Sequence, residues 1–276
     1  MRTPPDPGQS PQTRSTPAIA AAAERIRGAY QLCAPCAPVR ELIDASDTQA
    51  AYAVQEINTR QWESAGRRLV GRKIGLTAQS VQRQLGVDQP DYGMLFADMA
   101  VPDGDEIDMR SMLQPRVEGE VAFCLGRDLT EAQLTIADIV GAIDYAVAAI
   151  EIVDSRIARW DIKIADTIAD NASSGRYVLG SEPHRLGDFD IRLCGMVLER
   201  RGEQVAFGAG AACLGNPLNA TLWLAKRMAE IGRPLRSGDI VMSGALGPMI
   251  TVQAGDVFDL RINGLGDVRA AFSKSN

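Results

Sequence analysis

Glu118, Glu120 and Glu151 are the side chains in this sequence best placed to do chemistry. In Val117-Glu118-Gly119-Glu120-Val121-Ala122-Phe123-Cys124-Leu125, strand alternation sends Val117, Val121, Phe123 and Leu125 to one face and both glutamates to the other. Like charges two residues apart on one face repel, which is tolerable if both are solvated or if a cation sits between them. Glu151 follows Tyr145-Ala-Val-Ala-Ala-Ile150 and precedes Ile152-Val153, so a charge in that apolar run needs a buried partner. Three carboxylates converging from adjacent strands would suit a hard divalent ion, Mg²⁺ or Mn²⁺, with no histidine or cysteine in the ligand set. Alternatively, Glu118 and Glu120 form a solvated face and Glu151 pairs with Arg156 or Lys163. Spacing alone leaves both readings open.

The rest of the composition narrows the chemistry by exclusion. A single histidine, His184, in the loop-like Glu182-Pro183-His184-Arg185, is a poor basis for a catalytic triad or a multi-histidine zinc site, and is read as a solvated loop residue. Proton transfer then falls to Lys, Asp, Glu or Tyr. The five cysteines are scattered and odd in number, so they are read as reduced, and Cys33-Ala-Pro-Cys36 as chance spacing. Gly66-Arg-Arg-Leu-Val-Gly-Arg-Lys73 puts Arg72 where a P-loop needs lysine, and Gly208-Ala-Gly210-Ala-Ala-Cys213 lacks the third glycine of a dinucleotide fingerprint. A net charge of −6 and a pI near 5.0 argue against a nucleic-acid partner and leave an anionic substrate in need of a local positive centre. No apolar run reaches the roughly 18 residues of a membrane span, so a soluble cytoplasmic protein is expected.

The elements that must position these groups are legible in outline. Residues 1–17 hold five prolines among small polar residues and are expected to be a disordered tail. Residues 18–67 form a helical N-terminal region, with one helix from Ala18 to about Leu32 and another from near Asp47 to Gly66. Residues 68–276 read as a β-rich catalytic domain with helices near Thr130–Ile143 and Asn216–Ile231, the latter capped by Asn216, opened by Pro217 and ended by Gly232. Strands are expected at Ile191–Glu199, Ile240–Ser243, Met249–Val252, Val257–Ile262 and Val268–Phe272, with Asn263-Gly264 as a hairpin turn. The fold class is α+β: a β-rich mixed-sheet body with few covering helices.

Several ordered blocks give this outline a relative. Gly71-Arg-Lys73-Ile-Gly-Leu-Thr77, Gly86-Val-Asp-Gln-Pro90-Asp91-Tyr-Gly93, Gln114-Pro-Arg-Val-Glu118-Gly-Glu120, Glu151-Ile-Val-Asp-Ser155-Arg156, Ala169-Asp-Asn171-Ala-Ser173 and Gly238-Asp-Ile-Val-Met-Ser-Gly-Ala-Leu-Gly247-Pro248-Met249 resemble the fumarylacetoacetate hydrolase superfamily. The fit is best to its 2-keto-4-pentenoate hydratase branch and runs from about Arg40 to Phe272. The resemblance implies that Glu118, Glu120 and Glu151 bind Mg²⁺ or Mn²⁺, that Lys73 and Asp91 are catalytic, and that Asn171 and Ser173 lie by the substrate. It also implies a homo-oligomer. One departure is Asn216, which stands where a histidine is often seen before the Pro-Leu-Asn block.

The implied reaction is hydration of a small 2-oxo acid, 2-hydroxypenta-2,4-dienoate, to 4-hydroxy-2-oxopentanoate in aromatic-compound degradation. The ion would be the positive centre that anchors the anion and polarises its carbonyl. Lys73 and Asp91 would move protons, and to act near neutral pH Lys73 would need its pKa lowered by desolvation or by the cation. Rival readings are a 4-oxalocrotonate (2-oxo-3-hexenedioate) decarboxylase of the same superfamily, a C–C hydrolase, for which only His184 could serve as the histidine, and a non-catalytic partner subunit.

Overall fold

A computed structural model describes residues 16–79, 82–83 and 86–274, so the expected tail lies outside the described residues as far as residue 15. Helix α1 (Pro17–Leu32) opens where Thr16 Oγ1 accepts from the Ile19 N–H at 3.2 Å, with proline in its first turn. Helix α2 (Thr48–Ser64) is capped in the same way by Asp47, whose carboxylate accepts from the Ala50 N–H. Their apolar faces, including Ile26 and Val54, share a cluster with Ile157 and with Ala165, Ile168 and Ala169. The two N-terminal helices are thereby packed onto the segment that leaves the central sheet.

The body is two sheets. The larger runs β2 (Asp91–Phe96), β1 (Leu69–Gly75), β10 (Ile240–Ala245), β5 (Pro115–Leu125), β6 (Ile143–Asp154), β7 (Ser174–Leu179), β3 (Ala100–Val101), with β11 (Ile250–Thr251) paired to β5. The smaller runs β4 (Glu106–Ile107), β13 (Gly266–Phe272), β12 (Val257–Ile262), β8 (Gly195–Arg200), β9 (Glu203–Ala209). The fold is α+β with mixed sheets, and β1 pairs in parallel with the distant β10.

The alternation in β5 decides which sheet face carries the carboxylates. A side chain at Gly119 would strike Leu260 Cδ1 at 2.6 Å and Met196 Sδ at 2.7 Å, so the odd-numbered face of β5 lies against the smaller sheet. Glu118 and Glu120 project from the opposite face. That face is concave. Lys73 on β1 and Glu151 on β6 stand three strands apart, about 14 Å on a flat sheet at ~4.8 Å per step, yet their charged ends are 3.0 Å apart. The sheet rolls until its far strands meet, and a Cβ on Gly93 of β2 would lie 2.6 Å from Ser174 Oγ at the start of β7.

Three elements differ from the sequence reading. The helix expected near Thr130–Ile143 is shorter, α3 (Ile136–Ala142), because Thr135 and Asp138 form a capping box there and Ile143 already begins β6. The strand expected from Ile191 starts at Gly195, because the Asp190 carboxylate accepts from the Arg192 and Leu193 N–H groups and holds a turn. The strand expected at Met249–Val252 is only Ile250–Thr251. Helix α4 (Ile164–Ala169) precedes β7, and α5 (Pro217–Glu230) follows Asn216, whose side chain accepts from the Leu218 N–H as expected.

One buried ion pair joins these parts. The fully buried Arg156, just after β6, pairs through Nε with Asp170 Oδ1, donates from Nη1 to Ser174 O and from Nη2 to Asp170 O, and lies over the Tyr30 ring of α1. Arg156→Met would leave the Asp170 carboxylate buried without its counter-charge. The expected cost is about 3–5 kcal/mol of folding free energy, read as a lower urea midpoint at unchanged slope.

Candidate active site

Glu118, Glu120 and Glu151 converge: one carboxylate oxygen from each lies within 4.8 Å of the others. Glu118 faces Glu151 directly across the β5–β6 ladder, and Glu120 lies one strand-repeat deeper opposite Ala149. Glu120 Oε2 accepts from the Gly244 N–H at 2.8 Å, while Glu120 Oε1 and Glu151 Oε2 have no hydrogen-bond donor. Buried carboxylate oxygens without donors are costly unless a cation serves them. An all-oxygen set of this kind fits a hard divalent ion.

Lys73 enters from across the roll. Its ammonium is 3.0 Å from Glu151 Oε1, with the lysine 3% and the glutamate 1% exposed. The pairing of Glu151 with Arg156 or Lys163 is therefore ruled out, since Arg156 belongs to Asp170. Asp91 lies beside Lys73: a methyl on Gly75 would overlap Asp91 Oδ1 and come within 3.7 Å of Lys73 Nζ. The other Asp91 oxygen accepts weakly from Thr167 Oγ1 at 3.5 Å, and Oδ1 has no donor.

Four carboxyl groups thus face one ammonium in a dry site, and their acidities follow. Burial pushes Glu118 up to about 7, Glu151 adds to the rise, and Lys73 opposes it. Burial also drives Glu120 well above its usual range, with further push from Glu151 and Glu118. Asp91 is raised by burial to about 6, with Lys73 easing the rise and Glu151 adding to it. Burial alone would lower Lys73, but the surrounding carboxylates, Glu151 first, outweigh it and hold the ammonium above its ordinary pKa. In the metal-free site the negative charges around the amine thus outweigh desolvation, which with a bound cation is what the sequence reading looks to for a lowered Lys73 pKa.

These shifts fix the sign of a metal-binding experiment. Carboxyl groups held above their ordinary pKa must give up protons to coordinate, so binding of Mn²⁺ near pH 7 should release protons and weaken as pH falls through about 7, where Glu118 takes up its proton. Calorimetry in buffers of different ionisation enthalpy reads the proton count. A count of zero at pH 6.5 contradicts the arrangement described.

Comparison with known proteins places the chain. The sequence profile of the Fumarylacetoacetate (FAA) hydrolase C-terminal family matches residues 64–273. The chain belongs to the fumarylacetoacetate hydrolase family. It is 63% identical over 263 residues, 95% of this chain and 98% of the other, to the TodF product hydratase of Pseudomonas putida (strain F1). It is 57% identical over 253 residues, 92% and 96% of the two chains, to 2-keto-4-pentenoate hydratase 1 of Dechloromonas aromatica (strain RCB). Among solved structures, 4-oxalocrotonate decarboxylase from Pseudomonas putida G7, complexed with magnesium and adipate, superposes with a TM-score of 0.88 at 35% identity, covering 92% of this chain and 97% of that one. Within the family the chain falls in the 2-keto-4-pentenoate hydratase branch.

Set in this family, the remaining residues take distinct places. Asn171 spends its amide on one backbone unit: Oδ1 accepts from Met94 N–H at 2.7 Å and Nδ2 donates to Met94 O at 2.9 Å. It thus imitates a neighbouring strand and stitches β2 to the start of β7, closing the roll. Asn171, Ala172 and Ser173 all have positive φ, between 50° and 57°, a conformation unfavourable for non-glycine residues and concentrated at functional sites. Ser173 Oγ donates to Asp170 Oδ2 at 3.1 Å. His184 is half-buried and its backbone bridges to Ala146, away from the carboxylates. All five cysteines are free.

Three residues with a part in the site were not singled out from sequence. Gly244, at φ +107°, aims its N–H at Glu120, and a side chain there would overlap Thr77, so the left-handed backbone and the close approach both require glycine. Thr77 and Gly244 lie inside blocks quoted for the resemblance, which is where a signal existed. Thr167, the donor to Asp91, carries none, because it lies in the short α4 far along the chain.

Proposed function

We propose that this chain is a hydro-lyase, a divalent-metal-dependent hydratase that adds water to 2-hydroxypenta-2,4-dienoate (2-oxopent-4-enoate) to give 4-hydroxy-2-oxopentanoate. The observation that carries the proposal is the convergence of Glu118, Glu120 and Glu151, the last two buried and each with a donorless oxygen, beside Lys73 and Asp91, in a chain over 50% identical to hydratases along nearly its whole length. Bound Mg²⁺ or Mn²⁺ would supply Lewis-acid polarisation of the 2-oxo group and a counter-charge for the anionic substrate.

The chain's own residues divide the proton work. Lys73, whose ammonium lies 3.0 Å from Glu151 Oε1, is the proton donor. Asp91, with a pKa raised to about 6, is mostly ionised at neutral pH yet basic enough to take a proton from water as it attacks C4. Loss of the 2-hydroxyl proton with delivery of a proton at C5 turns the dienol into the conjugated enone, and after water adds at C4 and gives a proton to Asp91, a proton at C3 completes the addition. Asn171 acts as a positioning residue through Met94, and Ser173 sits on the strained turn that it shares with Asn171. The same reading takes the protein as a cytoplasmic homo-oligomer.

Purified protein with Mg²⁺ or Mn²⁺ should convert 2-hydroxypenta-2,4-dienoate to 4-hydroxy-2-oxopentanoate, identified by mass and NMR, and chelation should stop it. The same protein given 2-oxo-3-hexenedioate should release no CO₂ at a comparable rate. Fast CO₂ release with no hydration would make it a decarboxylase instead.

A further inference from the structure

Exposure along β5 gives the direction in which the site opens. Glu120 is fully buried, Glu118 is half-buried, and Arg116, two residues further along the same strand face, is half-buried as well. The carboxylate cluster is therefore less buried toward the Arg116 end of β5 than at Glu120. The Arg116 charge bears on Glu118, as Glu118 does on it, yet the two form no ion pair within 4.0 Å, and no hydrogen bond among the described residues uses the Arg116 side chain. Its guanidinium instead lies 4.1 Å from the Trp160 ring centre, and the Trp160 indole N–H donates to Gln114 O at 3.0 Å. Arg159 and Trp160 are both left-handed, at φ 60° and 54°, so the indole is held by a strained turn on one side and a hydrogen bond on the other.

A guanidinium stacked on an aromatic face keeps its planar edge free for bidentate donation to a carboxylate. Lys73 cannot serve that purpose, because it is committed to Glu151 deep in the roll. We propose that Arg116, held by Trp160, is a substrate-binding residue that recognises the C1 carboxylate of a 2-oxo acid at the mouth of the site. This rests on the 2-oxo acid reading above and adds a second positive centre to it. Arg116 serves binding more than chemistry, since the carboxylate keeps its charge throughout the hydration and the contact is equally strong in ground state and transition state.

The test uses the full chain saturated with Mn²⁺ and calorimetric binding of 2-oxopentanoate, the saturated analogue that cannot be hydrated. A neutral ligand, 2,3-pentanedione, is the comparison. Arg116→Met should weaken 2-oxopentanoate about 10- to 100-fold, the worth of charge-assisted hydrogen bonds, while leaving Mn²⁺ affinity and 2,3-pentanedione binding unchanged. Arg116→Lys should recover part of the affinity, because a point charge replaces the planar fork. Trp160→Leu should give a smaller loss of the same kind. Unchanged 2-oxopentanoate affinity in Arg116→Met overturns the proposal, as does a loss of Mn²⁺ affinity or an equal loss for both ligands, which would make Arg116 a positioning residue for Glu118. If the wild-type protein itself fails to bind 2-oxopentanoate with Mn²⁺ present, the 2-oxo acid reading falls and takes this proposal with it.

Discussion

Glu120→Ala is expected to lower kcat/KM by about 10³-fold or more, because the loss of Lewis-acid catalysis is worth several kcal/mol. The decisive readout is independent of turnover. In the wild-type protein a divalent ion bound only by the folded state should raise stability by about 2.7 kcal/mol at a concentration 100 times its dissociation constant, seen as a rise in Tm with added Mn²⁺. Glu120→Ala should show little of that rise. Its metal-free Tm should nevertheless be equal to or above that of the wild type. Glu120 is a wholly buried carboxyl group pushed toward protonation first by burial and then by Glu151 and Glu118, so removing it relieves repulsion in the empty cluster. A Glu120→Ala protein with an undiminished Mn²⁺-induced rise in Tm would remove this glutamate from the ligand set.

Lys73→Ala should lower kcat by about 10²-fold or more, the ordinary contribution of a general acid, by a different route. The mutant should still bind Mn²⁺, and more tightly than the wild type, because the ammonium 3.0 Å from Glu151 Oε1 competes with a cation for that carboxylate. Without metal, Lys73→Ala should be less stable than the wild type, since the one ammonium that the described residues place among four carboxyl groups is gone, and added Mn²⁺ should restore the difference. Lys73→Arg separates charge from proton transfer: it keeps a cation beside Glu151 but should remain slow, because a guanidinium does not give up its proton near neutral pH. Near wild-type kcat in Lys73→Ala at saturating substrate would leave Asp91 as the sole proton carrier.

The two mutants fail differently because the site is a balance of charge as well as a set of ligands. Glu151 serves both sides, facing Glu118 across the ladder and touching Lys73 across the roll. It is the residue through which metal affinity, metal-free stability and proton transfer are coupled.

The sequence determined by itself whatever depends on local spacing. Alternation in Val117–Leu125 put Glu118 and Glu120 on one face, and the apolar run around Glu151 marked that residue as needing a buried partner. Thr16, Asp47 and Asn216 lie where N-caps start helices. Errors came where side-chain hydrogen bonds overrode periodicity, as the Thr135–Asp138 box did at α3 and the Asp190 turn did before β8. The tertiary structure decided which partner Glu151 has. Lys73 is 78 positions earlier in the chain and reaches Glu151 only because the sheet rolls across four strands, and roll is a property of the whole sheet that no window of sequence carries. The same roll decided the sign of the Lys73 shift, since an amine's acidity depends on which charges end up around it, and it gave Asn171 a backbone to clamp where the sequence offered only a polar loop.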